Sequence, residues 1–177
     1  DFRGYAGKLY GNNIKVGDAV TVLPSLTESK VTNIHFFDQQ FDEATVGSSI
    51  TIELENDINV TRGDMIVKSN ELPKVEKDIN STVCWMDSKK LVPGAKYFVQ
   101  HNTNRVLAKI DSVKNVIATD FSGTKEASQL SINEIGEVNI KLSKAIYFDA
   151  YNDNKSNGAF ILIDATTNTT AGVGFIR

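Results

Sequence analysis

The sequence predicts an all-β protein built as two consecutive small antiparallel β-barrels. Three observations carry this. Short runs alternate apolar and polar residues with period two. The cleanest is Ser49-Ile50-Thr51-Ile52-Glu53-Leu54-Glu55, whose Ile50, Ile52 and Leu54 face a core while Thr51, Glu53 and Glu55 face water. Glycine, proline and asparagine punctuate the chain at short intervals, as sandwiches and barrels require. No segment longer than about two turns keeps a 3.6-residue apolar period, and Lys125 to Leu130 is the best short helical candidate. A length of 177 residues suits one large β domain or two small ones.

Residues 1–72 form the first predicted barrel. Tyr5-Ala6-Gly7-Lys8-Leu9 alternates and Gly11-Asn12-Asn13 turns the chain. Ile14-Lys15-Val16 leads through Gly17-Asp18 into Ala19-Val20-Thr21-Val22-Leu23, which Pro24-Ser25 ends. Ser29 to Phe36 alternates again, with Val31 and His35 on one side and Ile34 and Phe36 on the other. Gln39 to Gly47 reads as a loop or at most one helical turn. Asn56 to Val67 reads as the closing strand pair: Ile58 and Val60 share a face, Arg62-Gly63-Asp64 turns, and Met65-Ile66-Val67 is a short apolar strand.

Residues 73–177 form the second predicted barrel. Leu72-Pro73-Lys74-Val75-Glu76-Lys77-Asp78 is charged and proline-marked, the mark of a linker. Thr82-Val83-Cys84-Trp85-Met86 is a continuous apolar run, expected to be buried on both faces. Leu91-Val92-Pro93-Gly94 is a tight turn. Lys96 to His101 and Arg105 to Val113 form a hairpin around Asn102-Thr103-Asn104. Phe121 to Lys125 is a polar loop. Val138 to Ser143 alternates and Ile146-Tyr147-Phe148 follows. Asn152 to Gly158 is a long turn-rich loop and Phe160 to Asp164 a buried strand. Thr169 to Ile176 closes the chain, with Gly172 and Gly174 marking a bulge or a close backbone approach.

Composition removes several function classes. With 41% hydrophobic and 23% charged residues the chain has a globular make-up, and no apolar run is long enough for a membrane helix. A net charge of −3 argues against a nucleic-acid binder that works by neutralising phosphates. The single cysteine, Cys84, excludes an intrachain disulfide and suits a reducing, cytoplasmic setting.

Catalytic and metal constellations are not assembled by the spacing. No glycine opens a phosphate-cradling loop. Asn154-Lys155 resembles the start of a guanine-reading motif, but Asn157 stands where aspartate is required. His35, His101 and Cys84 lack the paired spacing of a zinc site, and Asp149, Asp153 and Asn157 lack that of a calcium loop. A nucleophile elbow is absent. Arg62-Gly63-Asp64 reads as a structural turn rather than an adhesion tripeptide. The sequons at Asn59, Asn80, Asn154 and Asn168 are expected by chance in a chain so rich in asparagine and threonine. Trp85 reads as core. The sequence therefore assigns no catalytic, cofactor-binding or metal-ligating residue.

The order of motifs nonetheless resembles a known family. Phe2-Arg3-Gly4-Tyr5-Ala6-Gly7, then Ile14-Lys15-Val16-Gly17-Asp18, then a strand ending at Pro24, is similar to the second domain of translation-factor GTPases such as elongation factor Tu. Arg62-Gly63-Asp64-Met65-Ile66 is similar to that domain's closing strand. Val83-Cys84-Trp85-Met86, Leu91 to Tyr97 and Asn133-Glu134-Ile135-Gly136 resemble the large subunit of bacterial sulfate adenylyltransferase. Phe148-Asp149-Ala150-Tyr151, Gly158 to Asp164, Thr169 and Gly172 extend the match across nearly the whole chain.

That resemblance implies the two barrels behind a GTPase domain, the first of them lacking its first strand. In that family GTP and Mg²⁺ are held by the preceding domain, and GTP hydrolysis drives a small catalytic subunit. The small subunit makes adenosine 5′-phosphosulfate and pyrophosphate from ATP and sulfate. The implied partners are therefore the catalytic subunit and the chain's own GTPase domain, with no nucleic acid and no membrane. Tyr5, His101 and Glu134 are the surface positions expected near an interface. The competing readings are a tRNA-binding barrel pair of an elongation GTPase and an extracellular adhesion module using Arg62-Gly63-Asp64.

Overall fold

The structure, a computed structural model, describes residues 2–120 and 122–177, and every described element is β. The chain divides into two compact units, residues 1–72 and 73–177.

The first unit holds β1 (Tyr5–Lys8), β2 (Ile14–Lys15), β3 (Ala19–Leu23), β4 (Thr27–Phe36), β5 (Gln39–Phe41), β6 (Glu43–Ala44), β7 (Ser49–Leu54) and β8 (Met65–Lys68). Its main sheet runs β1-β7-β4-β3-β8, all antiparallel, with β5 hung on β4 and β2 paired separately with β6. Ile14, Val20, Val31, Ile34, Ala44 and Ile52 meet in its core, with Tyr5, Leu9, Ile50, Leu54 and Ile66 packed against them. Residues from seven of the eight strands thus enclose one apolar interior. The pairing path ends at β1 and β8 rather than joining. A side chain ties β1 to the irregular segment that precedes β8: the Tyr5 hydroxyl donates to the Ile58 carbonyl at 2.8 Å and accepts from the Ile58 amide at 3.0 Å.

The second unit holds β9 (Lys74–Trp85), β10 (Lys96–His101), β11 (Asn104–Ile117), β12 (Thr124–Glu126), β13 (Ile135–Phe148), β14 (Ala159–Asp164) and β15 (Thr170–Ile176). The order β10-β14-β15-β9-β13-β11 returns to β10, so six antiparallel strands close into a barrel, with β12 added outside on β11. Closure leaves these six strands no free edge. The interior is filled by Trp85, Tyr97, Leu91, Ile110, Leu130, Ile140, Leu162 and their neighbours. Trp85 stacks edge-on against Tyr97 with centroids 5.3 Å apart.

Several local readings change. β4 does not alternate throughout: a bulge between Val31 and Asn33 shifts the register, so Val31 and Ile34 both point inward. The extra residue resets which parity faces the core. Gln39 to Gly47 contains two short strands instead of a helical turn. Asn56 to Thr61 is irregular, and only Met65–Lys68 continues as a strand. The charged stretch after Pro73 is no linker, because β9 begins at Lys74 and pairs Lys74 to Glu76 with Ile146 to Phe148. The Thr82–Met86 run is buried on one face only: Val83 and Trp85 are interior, Thr82 and Cys84 half-buried, and Met86 exposed. The helical candidate Lys125 to Leu130 instead ends β12 and continues as coil to an isolated bridge between Leu91 and Leu130. Of the polar loop at 121–125, Phe121 lies outside the described residues, and Thr124 and Lys125 belong to β12.

Candidate functional site

The motifs around Trp85, Leu91 and Asn133-Glu134 meet at one end of the second barrel. Trp85 ends β9 with its ring inside, and its Nε1 donates to the Lys89 carbonyl at 2.8 Å. Its amide donates to the Glu134 carbonyl at 2.9 Å, and the Asn133 amide returns a bond to the Trp85 carbonyl at 2.8 Å. Asn133 has φ 65°, a left-handed conformation that asparagine tolerates. The turn before β13 therefore satisfies both backbone polar groups of the buried tryptophan. Leu91 and Leu130 exchange two backbone bonds beside it, at 2.9 and 3.0 Å.

Glu134 belongs to this turn. Its Oε2 accepts the Ser131 amide at 2.6 Å, and the side chain is half-buried. Its carboxylate thus fixes the turn that covers Trp85. Tyr5 is half-buried in the first unit, both hydroxyl bonds given to Ile58, with the Arg3 guanidinium 5.9 Å above its ring. The two residues sit in different units, and each is engaged in local structure.

His101 corrects the expectation of an exposed loop. It is only 1% exposed at the end of β10, and its Nε2 donates to the Asn157 carbonyl at 2.8 Å. Burial pushes its pKa below the usual histidine value, outweighing the Asn157 carbonyl and the Asp149 charge, which raise it. Asn157 in turn donates to Asp149 Oδ2 at 3.0 Å and accepts from Asn102 at 2.9 Å. Asn154 adds a second bond to the same carboxylate oxygen at 3.0 Å. These polar groups tie the β10–β11 hairpin to the turn before β14. Asn154 to Asn157, which resemble a nucleotide-reading loop in sequence, act here as that tie.

The remaining candidates are also engaged locally. His35 contacts Glu53 Oε1 at 2.5 Å, beside the β4 bulge. Asp64 Oδ2 accepts from the Thr61 amide at 2.8 Å and the Thr61 hydroxyl at 3.0 Å, while Gly63 takes φ 108°. That is a side-chain-stapled turn, and glycine alone tolerates its φ. Asp149, Asp153 and Asn157 do not converge as ligands, and no group of three or more metal-type side chains exists among the described residues. Tyr97 is raised above its ordinary pKa first by burial and then by the Asp164 and Asp87 charges, as suits a core ring.

Sequence reasoning passed over one surface. Phe36, Phe37 and Phe41 stand exposed on the β4–β5 hairpin. Their signal was three phenylalanines within six residues, in a stretch read as a strand end followed by a loop or at most one helical turn.

A family model described as GTP-eEF1A C-terminal domain-like matches residues 78–177, which span β9 to β15 almost entirely. The chain belongs to this family. Beyond the GTP-eEF1A C-terminal domain-like region, similarity runs the full length. It is 39% identical over 177 residues to sulfate adenylyltransferase subunit 1 of Colwellia psychrerythraea, covering 100% of this chain and 38% of that protein. It is 38% identical over 176 residues to the bifunctional enzyme CysN/CysC of Rhodopirellula baltica, covering 99% and 27%. The chain thus spans well under half the length of these relatives. A crystal structure of Sup35 complexed with GDP superposes with a TM-score of 0.82 at 16% identity, over 98% of this chain and 45% of that one. At that identity the superposition speaks for the fold alone.

Proposed function

We propose that the chain is the barrel region of a sulfate adenylyltransferase GTPase subunit, coupling GTP hydrolysis to adenosine 5′-phosphosulfate synthesis. The observation that carries this is the 36–39% identity along essentially the whole chain to proteins named sulfate adenylyltransferase subunit 1. The alignment includes the turn built on Asn133 and Glu134 and the strand ending at Trp85, whose packing sets the barrel end. In this reading no residue of the chain makes or breaks a bond. The barrels are rigid bodies that position a GTPase domain against the small catalytic subunit and pass its nucleotide state across. GTP and Mg²⁺ belong to the GTPase domain, and the assembly works in the cytoplasm.

Competition tests this. Added in excess to an assembled two-subunit sulfate adenylyltransferase, the purified chain should displace the native subunit. GTP-dependent formation of adenosine 5′-phosphosulfate should then fall in a saturable way. Unchanged synthesis at excess chain, together with a salt-sensitive shift of tRNA, would favour a translation-type barrel pair and overturn the proposal.

A further inference from the structure

The β4–β5 hairpin carries apolar surface that the core of its unit does not use. Phe36, Phe37 and Phe41 are 40%, 87% and 43% exposed. Their rings form one edge-to-face group, Phe36 against Phe37 at 4.7 Å and against Phe41 at 6.4 Å. Phe36, Phe37 and Val46 line a groove with Gly47, Ser48 and Ser49. Exposed aromatic clusters of this kind mark interaction sites.

The backbone adds an independent sign. Phe37 takes φ 54° at the first central position of the tight turn between paired Phe36 and Gln39. Glycine holds that conformation without cost, whereas a bulky L-residue is penalised. Phe37 is left almost wholly in solvent, so burial offsets little of that cost. A strained residue kept at the surface points to a use for the side chain where it stands.

Charge selects the kind of partner. Asp38 and Asp42 are exposed, and neither carboxylate has an ion-pair or hydrogen-bond partner among the described residues. Glu43 is engaged by Lys15 at 3.6 Å, and no cationic residue lies between Phe36 and Glu43. A hairpin that carries both exposed rings and unpaired carboxylates suits the guanidinium group, which stacks on aromatic rings and bonds carboxylates with its planar fork. The same carboxylates repel nucleic-acid phosphates, anionic lipid headgroups and a second copy of this hairpin.

We infer that the Phe36–Asp42 hairpin is a docking surface for arginine side chains on the small catalytic subunit, an assignment that rests on the coupling reading above. The test measures the dissociation constant between the full-length GTPase subunit and the catalytic subunit. The double variant Phe37→Gly with Phe41→Ser should weaken the complex at least about tenfold, as loss of aromatic anchors does. Asp38→Asn with Asp42→Asn should weaken it about threefold to tenfold and flatten its salt dependence. The single variant Phe37→Gly should weaken binding while its melting temperature holds or rises, because glycine relieves the turn; a merely structural hairpin would not separate these. A complex of unchanged affinity in both double variants overturns the docking assignment and leaves the coupling reading standing. Failure of the unaltered subunit to form any complex overturns both.

Discussion

The two units solve the same problem differently. In the second, six strands close on themselves, and the core extends without interruption from Ile79 on β9 to Ile176 on β15. In the first, the pairing path stops at β1 and β8, and the Tyr5 hydroxyl ties β1 to Ile58 in the segment before β8. Closure lets the second unit bury polar groups such as His101, Ser81 and Asn157, because neighbouring strands and turns supply partners. The first unit has the smaller core and leaves all four of its phenylalanines, Phe2, Phe36, Phe37 and Phe41, outside it. In the second unit Trp85, Tyr97, Phe148 and Phe160 are buried, whereas none of the first unit's phenylalanines is.

The comparison breaks most severely at Gly174. A Cβ there would lie 2.0 Å from Cζ of Phe160, itself buried in the core and unable to retreat. Gly174→Val should abolish folding of the second unit. The chain's single tryptophan, Trp85, reports this directly: its emission should shift to that of a water-exposed indole. In the first unit the matching core lesion is milder. Ile34→Ala at the bulge of β4 should cost about 2–5 kcal/mol, read as faster amide exchange along β3, β4 and β7.

Burial of His101 gives the second unit a pH dependence. Its folded pKa lies below the unfolded value of about 6.5, so the unfolded chain binds the proton first as pH falls. Stability should therefore be full above about pH 6.5 and decline below it, until the folded histidine also protonates. One proton sets a limiting slope of about 1.4 kcal/mol per pH unit. Denaturant melts at several pH values check this, and His101→Gln should remove the slope. The smallest expected effect is at Glu134. Glu134→Ala removes the acceptor for the Ser131 amide and should cost about 1 kcal/mol, with loosened exchange at the Trp85 amide.

What the sequence revealed follows the same division. Ser49–Leu54 was legible because Ile50, Ile52 and Leu54 turn to the core, so period two is written into the residues, although Thr51 and Glu53 are half-buried rather than water-facing. The hairpin at Asn102 was legible because asparagine tolerates the φ of 51° that its turn requires. The first part of β9 was hidden for the opposite reason. Lys74 to Asp78 are all exposed, and a strand with no buried face leaves no apolar pattern. β4 misled because its bulge inserts a residue and changes parity midway. Among the chosen surface positions, His101 was illegible as a core residue. Its burial depends on Asn157, 56 residues away in sequence. Phe37 was passed over because turn chemistry favours small residues at its position.

The coupling role is tested most directly by titrating the purified chain into the small catalytic subunit in a calorimeter, with GTP turnover followed in parallel. A saturable association and no GTP hydrolysis by the chain are expected. Absence of binding heat, or turnover of GTP by the chain alone, would contradict that role.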